Sequence, residues 1–172
     1  MKPLRALVAL LLVATLAVMV TRVFIPRISC NLAKGRINRS VRGFSRIGDD
    51  FRRTELARAN LEECQRCLAY FPEDHQLYTL YGTNLRFLGR LDEALDAFKK
   101  ALTLTERPEI YAQIGEIEIE RGNIEAGRAA VTKAAMFHML YIEVVAEPMR
   151  SEINAVVQAR YTRLREKAEG KR

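Results

Sequence analysis

HQLYTLYGTNLRFLGRLDEALDAFKKALTLTER, residues His75 to Arg107, decides how this chain is read. Its first half sets Tyr78, Tyr81, Gly82 and Leu85 at positions that share one helical face. Its second half repeats the device with Ala94, Phe98 and Ala101, and Gly89 sits between the halves where a tight turn is needed. A glycine costs roughly 0.5 to 1 kcal/mol inside a helix relative to alanine, so Gly82 points to a place where two helices come close.

The frame recurs on both sides. Gly48, Gly82 and Gly115 are spaced at 34 and then 33 residues, within Phe44-x2-Ile47-Gly48-x2-Phe51, the middle copy, and Tyr111-x2-Ile114-Gly115-x2-Glu118. The second-helix triads are Asn60, Cys64, Cys67; Ala94, Phe98, Ala101; and Gly127, Val131, Ala134. Gly122 supplies the turn in the third copy, Thr54 is the candidate N-cap in the first, and Pro72 and Pro108 close two of the units. A period of this size marks stacked helical hairpins. The pattern resembles the tetratricopeptide repeat (TPR) family, best in the middle unit with Leu91-Asp-Glu-Ala94 and Phe98-Lys-Lys-Ala101. The resemblance implies an all-α solenoid of three units, 41–74, 75–107 and 108–140, and it implies protein binding. The alternation in Ile114-Gly-Glu-Ile-Glu-Ile-Glu120 looks like a strand, but the repeat register makes it helix.

The ends have other characters. Ala6 to Val20 is apolar apart from Thr15, and from Leu4 to Ile25 the run reaches ~33 Å as a helix, enough for a bilayer core of ~30 Å. A cleaved signal is the rival reading, and the stretch Val18 to Phe24 lacks the small-x-small pair that cleavage needs. We therefore expect a transmembrane anchor over 4–25, followed by a basic juxtamembrane linker over 26–40. Residues 141–169 read as an apolar connection and a capping helix with the stripe Met149, Ile153, Val156, Val157, Tyr161 and Leu164.

The net charge of +7 belongs to the amino-terminal part: the first 48 residues hold nine Lys or Arg and no acid. Nucleic acid is therefore not an expected partner. Arg22, Arg27, Lys34, Arg36 and Arg39 suit anionic lipid headgroups. By the positive-inside rule they also favour a cytoplasmic repeat domain, with delivery to the periplasmic face as the alternative.

No candidate for chemistry outweighs its ordinary reading. Cys64-x2-Cys67 has redox or metal spacing but no second pair, and both residues fall on the core face of the repeat. His75 and His138 lack partners in register, and Glu116, Glu118, Glu120 and Glu125 scatter around a solvated helix. With no phosphate loop or nucleophile motif, neither catalysis nor a cofactor or metal is expected. A concave groove is: Arg52, Arg53, Thr83, Arg86, Glu116 and Glu120 are its candidate partner-binding residues. The carboxylate clamp that some family members use is not carried over, because Ser45, Asp49, Leu80, Glu109 and Gln113 occupy its places. Phe137, Leu140, Tyr141, Ile142 and Val145 are the candidates for a second, apolar contact. The expected role is a noncatalytic, membrane-tethered adaptor or accessory subunit whose protein partner belongs to an integral membrane complex. The alternatives are a peptide-capturing receptor and a periplasmic protein of envelope assembly.

Overall fold

The computed structural model describes residues 2–169, and side-chain surroundings from residue 10 onward. Among the described residues the chain forms eight α-helices and no strand. α1 (Lys2–Met19) passes through a π-helical turn, Val20–Phe24, into α2 (Ile25–Gly43) without leaving helical geometry. Then follow α3 (Asp50–Tyr70), α4 (His75–Phe87), α5 (Leu91–Leu104), α6 (Pro108–Glu120), α7 (Ile124–Phe137) and α8 (Met149–Glu169). The Ile114–Glu120 stretch is helical, as the repeat register requires.

The second and third hairpins, α4 with α5 and α6 with α7, fall where the glycine period puts them. Gly89 and Gly122 turn the chain at φ of 73° and 82°, values that side chains rarely adopt. Gly82 lies under the Phe98 ring: a Cβ there would stand 3.1 Å from three ring carbons. At the next hairpin Gly115 and Gly127 face each other, and a Cβ on either would meet a side-chain carbon at 2.5 Å. Phe98, Leu85, Leu95, Ile110 and Ile117 form the centre of the core.

The first hairpin departs from the expectation. Its first helix is not the segment around Gly48. Phe44–Arg46 is a short 3-10 turn, residues 47–49 are not helical, and Phe51 is 72% exposed. The reason is local: the Asp49 carboxylate accepts the backbone N–H groups of Phe51 and Arg52, starting a new helix there. Thr54, the candidate cap, lies inside that helix. The first helix is instead α2, so the stretch read as a basic linker is part of the solenoid. Cys30, Ala33 and Ile37 are buried at helical spacing and pack with Cys64, Cys67 and Leu77. The pairs Cys30–Cys67, Arg36–Glu63 and Ser40–Asn60 fix α2 antiparallel to α3. The polar Asn60, at a core place, is satisfied by donating to Ser40 Oγ and to Asn84 Oδ1, each at 3.0 Å.

α8 caps the stack, but with only part of its stripe. Ile153 and Val157 are buried against Val131 and Ala135, while Val156, Tyr161 and Leu164 remain about half exposed. The cause is direction. Arg128 pairs with Glu152 at 3.3 Å, and Met136 meets both Arg160 and Tyr161, so α8 runs parallel to α7 and overshoots its end. The 3-10 segment Met139–Val144 carries the chain between them.

Candidate functional site: a concave groove on the first helices

α2, α4 and the start of α6 line a concave cavity of about 650 Å3. Asn31, Lys34, Asn38 and Arg42 come from α2, His75, Gln76 and Thr79 from α4, and Arg107 and Glu109 from the α6 boundary. Part of this polar lining is already engaged. Lys34 reaches the Asp74 carboxylate at 2.7 Å, and Asp74 also caps α4 by accepting from Gln76 and Leu77. Arg107 pairs with Glu109 at 2.7 Å. Arg42, Asn31, Asn38 and Gln76 are exposed to whatever enters.

Further from α1 the groove is closed by its own charges. The Arg86 guanidinium donates to Gln113 at 3.2 Å and to the Glu116 and Glu120 carboxylates. Burial alone would lower its pKa, but the hydrogen bonds it donates to Glu120 and Glu116 prevail and raise it, so the cation is held firmly. One cation thus offsets half of the charge that Glu116 and Glu120 bring to the groove. Thr83 turns its hydroxyl back onto the Thr79 carbonyl at 2.9 Å.

Of the six groove candidates the structure brings four together: Thr83 and Arg86 on α4, with Glu116 and Glu120 on α6. Arg52 and Arg53 lie apart, in the first turn of α3, where they pair with Asp49 and Asp50. Asn31 and Asn38 were missed because 26–40 read as linker. The signal that marks them is the Cys30, Ala33, Ile37, Val41 stripe, which makes that segment an amphipathic helix with these amides outside it.

The apolar candidates divide as well. Val145 is 5% exposed and Ile142 packs against the α7–α8 cluster, so both belong to the cap's core. Phe137 and Leu140 are 50% and 62% exposed, and half-buried Tyr141 lies edge-on to His138. Of the basic residues near the anchor, Lys34 and Arg36 are paired to Asp74 and Glu63, whereas Arg22, Arg27 and Arg39 stay exposed.

The three cysteines do not form a Cys-x2-Cys unit. Cys67 bonds to Cys30, tying α3 to α2 across 37 residues of chain, and Cys64 is a free, fully buried thiol. Burial, and then the neighbouring Glu63 charge, push its pKa up to about 12, so it presents no thiolate to attack the adjacent bond. Among the described residues no cluster of His, Cys, Asp and Glu has the makings of a metal site.

Antiparallel helix pairs stacked side by side, glycine at the crossings and a polar cavity on the first helices together define a helical-hairpin repeat solenoid. Residues 75–107 match the tetratricopeptide repeat family. A thermophilic TPR protein of Thermus thermophilus, known from its crystal structure, superposes with a TM-score of 0.59 at 20% identity, over 83% of this chain and 68% of that one. No curated protein sequence matches the chain. The fold is thus similar to that of TPR proteins, and one unit matches the family directly. At the amino terminus one helix is long and apolar enough to cross a membrane, and none of its apolar window is buried in the fold.

Proposed function

We propose that this protein is a noncatalytic adaptor or accessory subunit that holds an extended segment of a partner protein in the α2–α4–α6 groove while α1 anchors it in a membrane. The observation that carries the reading is the open cavity itself, whose exposed amides Asn31, Asn38 and Gln76 offer paired donors and acceptors to a peptide backbone. Because α1 and α2 form one helix, the groove begins within two turns of the apolar run, which favours a partner that is itself part of a membrane complex. Exposed Arg22 and Arg27 suit anionic headgroups beside it, whereas Arg39 lies ~21 Å beyond Ile25 along α2.

The Cys30–Cys67 disulfide favours the oxidising side of that membrane, the periplasmic face in a bacterium. This reverses the side expected from the basic flank. Site-specific photo-crosslinking tests the reading. A crosslinker at Asn38 or Gln76 in native membranes should yield adducts of discrete mass, absent when it replaces Lys99 on the outer surface of α5. Equal labelling at all three positions, or none, would refute the groove.

A further inference from the structure

We infer that the occupant of the α2–α4–α6 groove is a dipolar segment of a partner protein, an extended stretch with an acidic side chain over α2 and a basic one over α6. This rests on the reading of the groove as a protein-binding site. The two outer helices of the groove have opposite composition. α2 carries Arg27, Lys34, Arg36, Arg39 and Arg42 and no acid. α6 carries Glu109, Glu116, Glu118 and Glu120 and no base. α4, between them, contributes only Arg86 and His75.

Pairing within the fold matches most of these charges and leaves one unmatched on each side of the groove. Lys34 is matched by Asp74, Arg36 by Glu63, Glu109 by Arg107 and Glu118 by Arg121. Arg27 and Arg39 do not line the cavity. Arg42 does, beside Asn38 and Thr79; it is exposed, and among the described residues no carboxylate pairs with it. On the other side the single Arg86 guanidinium serves both Glu116 and Glu120, so one negative charge is in excess there. Glu120 is the more accessible of the two, its side chain 44% exposed against 22%. Glu109, Gln113, Glu116 and Glu120 recur at the spacing of one helical face, and Glu109 lines the cavity, so the excess acid faces the same groove as Arg42.

Neighbouring helices pack about 8–10 Å apart, which sets the two unmatched charges ~16–20 Å apart across α4. An extended chain covers that distance in about five or six residues. The separation is too long for one lipid headgroup or a free amino acid, and it suits a peptide whose acid reaches Arg42 and whose base reaches Glu120. Asn31 and Asn38 then take the intervening backbone. Opposite charges at the two sides of a groove select the partner and the direction in which it lies more than they add affinity.

Two neutral substitutions remove the unmatched charges without creating new ones. Arg42→Gln takes away the free cation, and Glu120→Gln leaves Arg86 paired to Glu116 alone. With the photo-crosslinker at Gln76 of the full chain in native membranes, each should lower the yield of the partner adduct several-fold at low ionic strength. Added salt should bring the parent's yield down toward that of the variants. Arg66→Gln, which removes an exposed cation of α3, should change nothing. The salt series needs no substitution, so it decides the matter if a variant melts below the parent. Adducts that persist undiminished with either substitution, or a parent yield indifferent to salt, overturn the dipolar occupant and leave the groove standing. An adduct of twice the chain's mass would overturn it in favour of a second copy of this chain. No adduct from the parent at all overturns the groove and this inference together.

Discussion

Gly115→Ala is the sharpest perturbation of the helix crossing. The new methyl carbon would sit 2.5 Å from Val131 Cγ2 and 3.1 Å from both the Gly127 carbonyl oxygen and the Val131 backbone nitrogen. The valine methyl can rotate or shift, but the two backbone atoms belong to the facing helix, so α6 and α7 must separate. Overpacking of this kind costs about 1–3 kcal/mol, and the better helix propensity of alanine returns about 0.5–1 kcal/mol. The net is a destabilisation of about 1–2 kcal/mol, or a fall in Tm of about 2–8 °C for a chain of this size. Thermal unfolding of the detergent-solubilised chain, followed by far-ultraviolet circular dichroism, measures it. Gly43→Ala, where no atom lies within 4 Å of the new carbon, serves as the matched control and should not fall. Combining Gly115→Ala with Val131→Ala should cost less than the sum of the two, because one clash is removed. A Gly115→Ala variant that melts at or above the parent would show that the helices do not cross at this glycine.

Two further outcomes follow from the core and the surface. Phe98→Ala empties the centre of the middle hairpin, where Phe98 is fully buried, and should cost about 3–5 kcal/mol in the same melt; an unchanged Tm would remove Phe98 from the core. Glu106 is held below the usual carboxylate range by the Tyr111 hydroxyl and then by Lys133, so its contribution is present above the unfolded-state pKa of about 4.3 and is lost as pH falls through the lower folded value. Glu106→Gln should therefore lower stability slightly at neutral pH and converge with the parent below about pH 4, so that its acid limb is shallower, which acid titration of both forms would check.

Residues 75–140 were legible in the sequence because one register joined their signals and outweighed the strand-like alternation of Ile114 to Glu120. The glycines that turn the chain, Gly89 and Gly122, and the glycines that let helices touch, Gly82 and Gly115, share one period. The first hairpin was legible only in its second helix, where Asn60, Cys64 and Cys67 are buried as the register requires. Its first helix was hidden for a physical reason: its core stripe, Cys30, Ala33 and Ile37, is set among basic residues, and charge obscured periodicity. Gly48 kept the 34-residue spacing by coincidence, in a turn with open space around it. At the groove, Arg86 was visible as a lining residue, but its engagement by Glu116 and Glu120 depends on α4 and α6 being neighbours, which no local spacing states. The same holds for α8: its stripe predicted a helix, while its parallel course is set by contacts with Met136 and Arg128.

The central claim is that the helix leaving the membrane segment is itself the first helix of the solenoid, held to α3 by Cys30 and Cys67. Mass spectrometry of the chain extracted from native membranes, alkylated under denaturing conditions before any reduction and then digested, tests it most directly. The account predicts a crosslinked peptide pair joining Cys30 to Cys67, with Cys64 alone carrying the alkyl group. Alkylation of all three cysteines, or a bond between Cys64 and Cys67, would contradict it.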